Sequence, residues 1–294
     1  MAHKSGFVNI VGNPNVGKST LMNAMVGERL SIITAKAQTT RHRILGIVNS
    51  DDYQIVFSDT PGVLKPNYKL QESMLAFSKS ALEDADILLY VTDVNETIDK
   101  HPDFIQEVNS LTIPKFIILN KIDISNQAII EEKVVSLSKI FPDSEIVCVS
   151  AINKMNTDYI FRKITNLLPD SPPYFNKEEL TDRPQRFFVS EIIREKILLN
   201  YKEEIPYSTE VYIEEYKESP KIDRIMAVIV VMRDSQKGIL IGDKGKAIKK
   251  LGIDARKEIE AFIGKQVYLE MYVKADSDWS DKDTALRRYG YLTK

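Results

Sequence analysis

Apolar residues along this 294-residue chain fall into two patterns, and the change between them divides it. From Phe7 onward, short apolar runs alternate with stretches of helical period. The runs are Phe7–Val11, Arg43–Val48, Tyr53–Ser58, Pro114–Leu119 and Glu145–Val149. The helical stretches are Lys18–Val26, Gln71–Leu82, Pro102–Ser110, Gln127–Ile140 and Met155–Leu167. Nearly continuous apolar runs are strands buried on both faces, and alternation with helices predicts a mostly parallel sheet with helices on both sides. Pro169-Asp170-Ser171-Pro172-Pro173 breaks the pattern, and 169–185 reads as a proline-stiffened linker. Beyond it the order is helix (Phe187–Asn200), alternating strand (Glu210–Lys217), continuous strand (Arg224–Met232), a short apolar helix, a glycine turn, a long amphipathic helix to Ile263 and a strand (Gln266–Val273). The division predicted is an α/β domain over 1–168, the linker, and a smaller α+β domain over 186–294 with the tail Lys274–Lys294.

The first run leads into Gly12-Asn13-Pro14-Asn15-Val16-Gly17-Lys18-Ser19-Thr20. Strand, glycine-rich turn and helix N-terminus together make a nest of backbone N–H groups for phosphate oxygens. The spacing G-x-x-x-x-G-K-S puts Lys18 at the β- and γ-phosphates and the Ser19 hydroxyl on Mg²⁺. Tyr53–Ser58 leads into Asp59-Thr60-Pro61-Gly62. There Asp59 would support Mg²⁺ and the Gly62 N–H would bond the γ-phosphate. The polar segment Gln38-Thr39-Thr40-Arg41 offers a threonine to complete the Mg²⁺ shell, Thr40 being the choice and Thr39 the alternative.

Two later strand ends address the base. Pro114–Leu119 ends in Asn120-Lys121-Ile122-Asp123, where Asp123 can accept from both guanine N1–H and N2–H. Adenine lacks that donor pair, so a buried Asp123 would penalise it. Asn120 would bind the purine edge or tie its loop to the phosphate loop, and the Lys121 stem would cover the base. Glu145–Val149 ends in Ser150-Ala151, whose backbone N–H can meet guanine O6. The glutamine that orients water in well-known small GTPases would follow Gly62; here that residue is Val63, which cannot hydrogen-bond water.

The second domain carries Ile241-Gly242-Asp243-Lys244-Gly245-Lys246-Ala247-Ile248-Lys249 between two helices. A tight glycine turn lets backbone N–H groups approach a sugar-phosphate chain, and such G-x-x-G loops clamp about four nucleotides of single-stranded RNA. Ile241 and Ile248 would line a groove for bases, with Gly242, Asp243, Lys244, Gly245, Lys246 and Lys249 around the backbone. From Arg233 to Lys257 there are eight basic residues (Arg233, Lys237, Lys244, Lys246, Lys249, Lys250, Arg256, Lys257) against three acids (Asp234, Asp243, Asp254), a local charge of +5. The whole chain is nearly neutral, 40 basic against 42 acidic residues, so attraction to phosphate is confined to this stretch. The lone cysteine, Cys148, lies in an apolar strand, which excludes a disulfide framework and fits a reducing cytoplasm. His3, His42 and His101 are scattered, with no metal-ligand spacing. The N-terminal residues Met1–Gly6 lack the apolar core of a signal peptide, and the longest apolar run, Ile225–Met232, is too short to span a bilayer.

With these motifs in place, the chain resembles the translation-factor class of small GTPases, and within it the bacterial Era family, over essentially its whole length. The narrowing rests on the form G-N-P-N-V-G-K-S, the segment Q-T-T-R-H and the second domain, whose element order resembles a KH RNA-binding domain of the bacterial type. The resemblance implies a P-loop GTPase domain with GTP or GDP and Mg²⁺. It further implies Lys18, Thr40, Gly62 and Asn15 as the catalytic set, Asn15 helping to hold a K⁺ ion. The implied partner is 16S ribosomal RNA near its 3′ end, in the service of 30S subunit assembly. A cytoplasmic monomer is expected, with peripheral inner-membrane association as an accompanying trait and a lipid- or protein-binding signalling GTPase as the alternative function. Unassisted turnover of such enzymes is about 10⁻⁴ to 10⁻² s⁻¹.

Overall fold

A computed structural model describes residues 3–97 and 100–292. The readings of Met1 and Ala2 at the N-terminus and of the last two tail residues lie outside the described residues. The chain forms two compact units, one of residues 1–67 and 71–182, the other of 68–70 and 183–294.

The first unit is a six-stranded sheet in the order β2-β3-β1-β4-β5-β6. In chain order its elements are β1 (Lys4–Gly12), α1 (Lys18–Val26), β2 (Ile44–Asn49), β3 (Tyr53–Asp59), α2 (Lys69–Glu83), β4 (Ile87–Asp93), α3 (Pro102–Ser110), β5 (Lys115–Asn120), α4 (Gln127–Ile140), β6 (Glu145–Cys148) and α5 (Thr157–Leu167). All neighbours pair in parallel except β2, which runs antiparallel to β3. β1 lies between β3 and β4, so consecutive connections leave it to opposite sides. That switch point opens a crevice at the carboxyl end of β1, where open α/β sheets place their ligands. β4, fully buried along its length, is a strand that the sequence pattern did not delimit. α5 starts two residues later than the period predicts because Met155 pairs with Ser150 and Asn156 adopts φ 61.

Of the stretch 169–185 read as a linker, residues 169–182 belong to the first unit and are hydrogen-bonded along it. Ile47 N–H donates to Leu180 O on the β2 edge, and Gln54 Oε1 accepts from the Tyr174 and Phe175 N–H groups. The strand edge is thereby covered, which removes a template for unwanted pairing.

The second unit is a three-stranded sheet, β7-β8-β9, with β7 and β8 antiparallel and β8 and β9 parallel. Its elements are α6 (Gln185–Asn200), α7 (Ile205–Ser208), β7 (Glu210–Lys217), β8 (Ile222–Val231), α8 (Asp234–Ile241), α9 (Lys246–Ile263), β9 (Gln266–Ala275) and α10 (Asp283–Arg288). One sheet face packs Ile225, Ala227 and Ile229 against Val189, Ile193 and Ile197 of α6 and Leu251, Ala255 and Ile259 of α9. On the other face, Val228 and Val230 are also buried, because the tail folds over them: Tyr289 stacks on Tyr212, the register partner of Val228. Burial on both faces explains why β8 reads as a continuous apolar run. Trp279 is fully buried and donates to Ser208 O, so it packs the tail and is closed to a ligand.

Candidate nucleotide and nucleic-acid sites

At the crevice, the phosphate loop curls because Gly17 takes φ +98, a region costly for side chains, and a Cβ there would lie 2.2 Å from Asn120 Nδ2. Lys18 is buried, its ammonium donating to Gly12 O at 3.0 Å and Asn13 O at 2.8 Å. Burial pulls it down to about 8, against the upward pull of Asp59 and Glu96. An anion placed beside it would favour the charged form and oppose that fall. A cavity of about 380 Å³ opens here, its lining including Asn15, Gly17, Lys18, Ser19, Thr20 and Gly62. Gly62 touches the loop, since a Cβ on it would lie 2.7 Å from Pro14.

Ser19 and Thr40 line the cavity, and the fully buried Asp59 carboxylate lies behind them. Ser19 Oγ donates to Asp59 Oδ2 at 2.6 Å and lies 2.9 Å from Thr40 Oγ1, which is 3.4 Å from the same carboxylate oxygen. Thr39 also lines the cavity, yet its hydroxyl is engaged by Thr34 at 2.6 Å and by Lys36 O at 2.6 Å. Geometry therefore places Thr40, and not Thr39, with Ser19 and Asp59. Burial pushes the Asp59 carboxyl above its usual range, countered in part by the Ser19 hydrogen bond and by Lys18. Its other oxygen, Oδ1, is buried without a hydrogen-bond partner among the described residues. One carboxylate and two hydroxyls suit Mg²⁺, a hard ion that keeps several waters and takes its remaining ligands from phosphates.

Asn120 is the tie between loops: its Nδ2 donates to Val16 O at 2.9 Å and its Oδ1 accepts from Ala151 N–H at 3.0 Å. Ser150 N–H donates to Met155 O, so both N–H groups read as guanine contacts are paired within the protein, and a base O6 would compete with Asn120 for Ala151. Lys121, at φ 61, reaches back over the phosphate loop to Asn15 O and pairs with Asp93, both at 2.6 Å. Asp123 is exposed, so its carboxylate is free of the protein interior and a bound base would itself have to cover it. The reason is local: Asp123 sits in a 3-10 turn, Ile122–Ile124, on the surface.

Not every motif residue faces the cavity. Thr60 Oγ1 donates to Ile10 O, Pro61 O accepts from Ser78, and Val16 is fully buried; these three hold the loops rather than line the cavity. Val63 is also buried, in the core, and donates its N–H to Gly12 O. The Asn15 side chain is exposed at φ 65 and makes no hydrogen bond among the described residues. Sequence reading missed Asp93, and also Glu96, which accepts from the Asn13 side chain at 3.0 Å. Their signal would have been the unassigned strand β4, whose end faces the phosphate loop. It also missed Ile32, Ile33, Thr34 and Ala35, which line the cavity from an irregular segment without periodicity.

In the second unit, Gly242 takes φ +69 with its absent Cβ 2.6 Å from that of Ala247, while Gly245 takes φ +78 with open space around it. Asp243, Lys244, Lys246 and Lys249 are exposed; Lys246 pairs with Asp243 at 3.2 Å. Ile241 is partly buried beside Gly242. Ile248 and Lys249 line a groove of about 330 Å³ between α9 and β9, with Gly252, Ile253, Arg256, Tyr268, Leu269 and Met271. The last six were outside the predicted set: Gly252, Ile253 and Arg256 continue the same helix beyond the motif, and Tyr268, Leu269 and Met271 come from β9, which forms the far wall. No three His, Cys, Asp or Glu side chains cluster to hold a metal, and no helix is long and apolar enough to cross a membrane, among the described residues.

Fold and sites thus define a P-loop GTPase domain followed by a KH domain. A family described as "50S ribosome-binding GTPase" matches residues 7–121, and the KH domain family matches residues 204–280. The chain is 42% identical to GTPase Era of Staphylococcus haemolyticus over 292 residues, 99% of this chain and 98% of that protein. It is 41% identical to GTPase Era of Staphylococcus epidermidis over the same extent. The chain belongs to the Era family of GTPases. Among solved structures, it matches Era in complex with MgGDPNP and nucleotides 1506–1542 of 16S ribosomal RNA with a TM-score of 0.94 at 38% identity, covering 99% of this chain and 100% of that one. An Aquifex aeolicus Era variant bound to GDP.AlF4- matches equally, with a TM-score of 0.94 at 38% identity and the same coverage.

Proposed function

We propose that this chain is a GTP-driven switch that binds 16S ribosomal RNA near its 3′ end and assists maturation of the 30S subunit. The carrying observation is the full-length match to Era holding both MgGDPNP and that RNA, together with the two built sites. Residues 1–168 carry the nucleotide and 186–294 the RNA. The phosphate-loop N–H groups and Lys18 take the phosphates; Ser19 and Thr40, with Asp59 behind them, hold Mg²⁺. Bound Mg²⁺ neutralises charge developing on the phosphates. The Gly62 N–H senses the γ-phosphate. Asn120 and Lys121 shape the base end, with Ala151 and Asp123 at the purine edge. Val63 is turned into the core, so no side chain at that position orients water. Exposed Asn15 supports K⁺ as an added cation beside the phosphates, stabilising transition-state charge. RNA lies over Gly242–Gly245 and in the Ile248–Met271 groove, where Lys249 and Arg256 meet phosphate.

The test is affinity for RNA of nucleotides 1506–1542, with a scrambled control, in GDPNP and in GDP. Sequence preference that is stronger with GDPNP upholds the proposal; no preference in either state removes it. The proposal keeps the protein a cytoplasmic monomer. The exposed lysines at 244, 246, 249 and 250 also suit an anionic membrane surface as a peripheral second contact. Flotation with anionic vesicles, with and without competing RNA, separates the two uses.

A further inference from the structure

The face of the second sheet that points away from α6 and α9 is only half covered. At one end the tail closes it: Tyr289 stacks on Tyr212, Tyr291 donates to Glu210, and Lys274 donates to Tyr212. Along the β9 edge the face stays open and presents Tyr268 and Tyr272, 53% and 51% exposed, on the same face as Arg224 and Met226 of β8, Tyr268 level with Arg224 and Tyr272 level with Val228. Arg224 is the register partner of Tyr268, and its guanidinium sits 6.0 Å from that ring's centroid. Here lies a second hollow, of about 540 Å³, lined by Ser219, Lys221, Ile222, Arg224, Tyr268 and Glu270.

Tyr268 belongs to both hollows: it forms the far wall of the α9–β9 groove and the near wall of this one. β9 is the edge strand, so nothing in the sheet separates the two. We infer that a single-stranded RNA seated in the α9–β9 groove continues over the β9 edge onto this open sheet face, its bases stacking on Tyr268 and Tyr272 and its backbone meeting Arg224 and Lys221. This rests on the RNA reading of the groove. Exposed rings with interleaved cations are the usual platform for unstacked bases. The two tyrosines are four residues apart on one strand, about 13 Å. Adjacent stacked bases are about 3.4 Å apart, so the rings would take separate bases of an extended strand. The face's own acids, Glu270 near Tyr268 and Glu215 paired with Lys217, disfavour a purely electrostatic partner and leave stacking as the main contribution.

The experiment uses the full chain and nested oligonucleotides from the 16S 3′ end, from about five nucleotides, enough to fill a glycine-loop groove, to about fourteen. Wild-type affinity is expected to rise as the RNA outgrows the groove. Tyr272→Ala and Arg224→Ala, which lie outside the groove, should each lower affinity for the long RNA about tenfold and leave the short RNA unchanged. Tyr272→Phe, which keeps the ring, should retain the long-RNA affinity. Equal affinity of wild type for long and short RNA, or variants that bind long RNA like wild type, overturns the inference and assigns the face to a protein partner. Failure of the groove reading looks different: the short RNA then does not bind at all.

Discussion

Asn120→Ala tests whether the phosphate loop and the base loops are held as one structure. The side chain makes two hydrogen bonds, to Val16 O at 2.9 Å and from Ala151 N–H at 3.0 Å, and both partners are buried. Truncation leaves a carbonyl and an N–H without partners, each costing about 1 to 3 kcal/mol. A water entering the vacated space would recover part of this, so the expected loss is about 2 to 4 kcal/mol. For a unit of this size each kcal/mol lowers Tm by about 2 to 4 °C, so a fall of about 4 to 16 °C follows. Both proteins must be unfolded free of nucleotide, because bound GDP would add a mass-action shift that differs between them if the substitution alters its affinity. Urea denaturation followed by circular dichroism should show a lower midpoint with an unchanged slope. Gly17→Ala supplies an internal control, since its Cβ would meet Asn120 Nδ2 at 2.2 Å. In the Asn120→Ala background that clash is gone, so the double variant should lose less than the sum of the singles, by at least about 1 kcal/mol. A loss below about 1 kcal/mol for Asn120→Ala, or strict additivity with Gly17→Ala, would refute the tie.

Thr40→Ala should raise the Mg²⁺ concentration needed for half-maximal hydrolysis about tenfold, equivalent to about 1.4 kcal/mol, while Thr39→Ala changes it less than twofold. Equal effects in a Mg²⁺ titration would mean that Thr39 exchanges into the site. Hydrolysis should run faster in K⁺ than in Na⁺ at matched ionic strength, and Asn15→Ala should abolish the difference; equal wild-type rates remove the K⁺ role. Gly245→Ala is the cleaner of the two glycine-loop probes, because its Cβ enters open space while Gly242→Ala would strike Ala247. Left-handed backbone costs a non-glycine residue about 1 kcal/mol, so the fold should survive while RNA affinity falls at least about tenfold and basal GTP hydrolysis is unchanged.

Much of the fold could be read from period alone, where burial is symmetric. Helices α1, α3 and α4 start and stop where the pattern puts them, because glycine, proline or asparagine marks their ends. The errors have local causes. α5 begins late because the Ser150–Met155 pairing and the left-handed Asn156 take up its predicted first turn. The proline-rich stretch at 169–182 looks like free linker in composition, yet Gln54, fully buried, holds it through both atoms of its amide. The glutamine at the start of the apolar run Ile55–Phe57 was the available signal.

The sites divide in the same way. The placement of contiguous motifs was legible: Gly12 to Ser19 and Gly242 to Gly245 form glycine turns, and Asp59 to Gly62 follows a strand end beside the phosphate loop. The choice of Thr40 over Thr39 was not, because it depends on which hydroxyl is already committed, and only the Thr34 and Lys36 contacts reveal that. Asp93 and Glu96 escaped notice because neither belongs to a motif; they act through Lys121 and Asn13. Two largely buried acids beside a phosphate site would by themselves repel an anion. Here each is engaged, Asp93 by Lys121 and Glu96 by Lys100 and the Asn13 amide, so their charge is spent on fixing the loop's outer side. The other side of the loop, with Gly17, Lys18 and Ser19, is the side that lines the cavity.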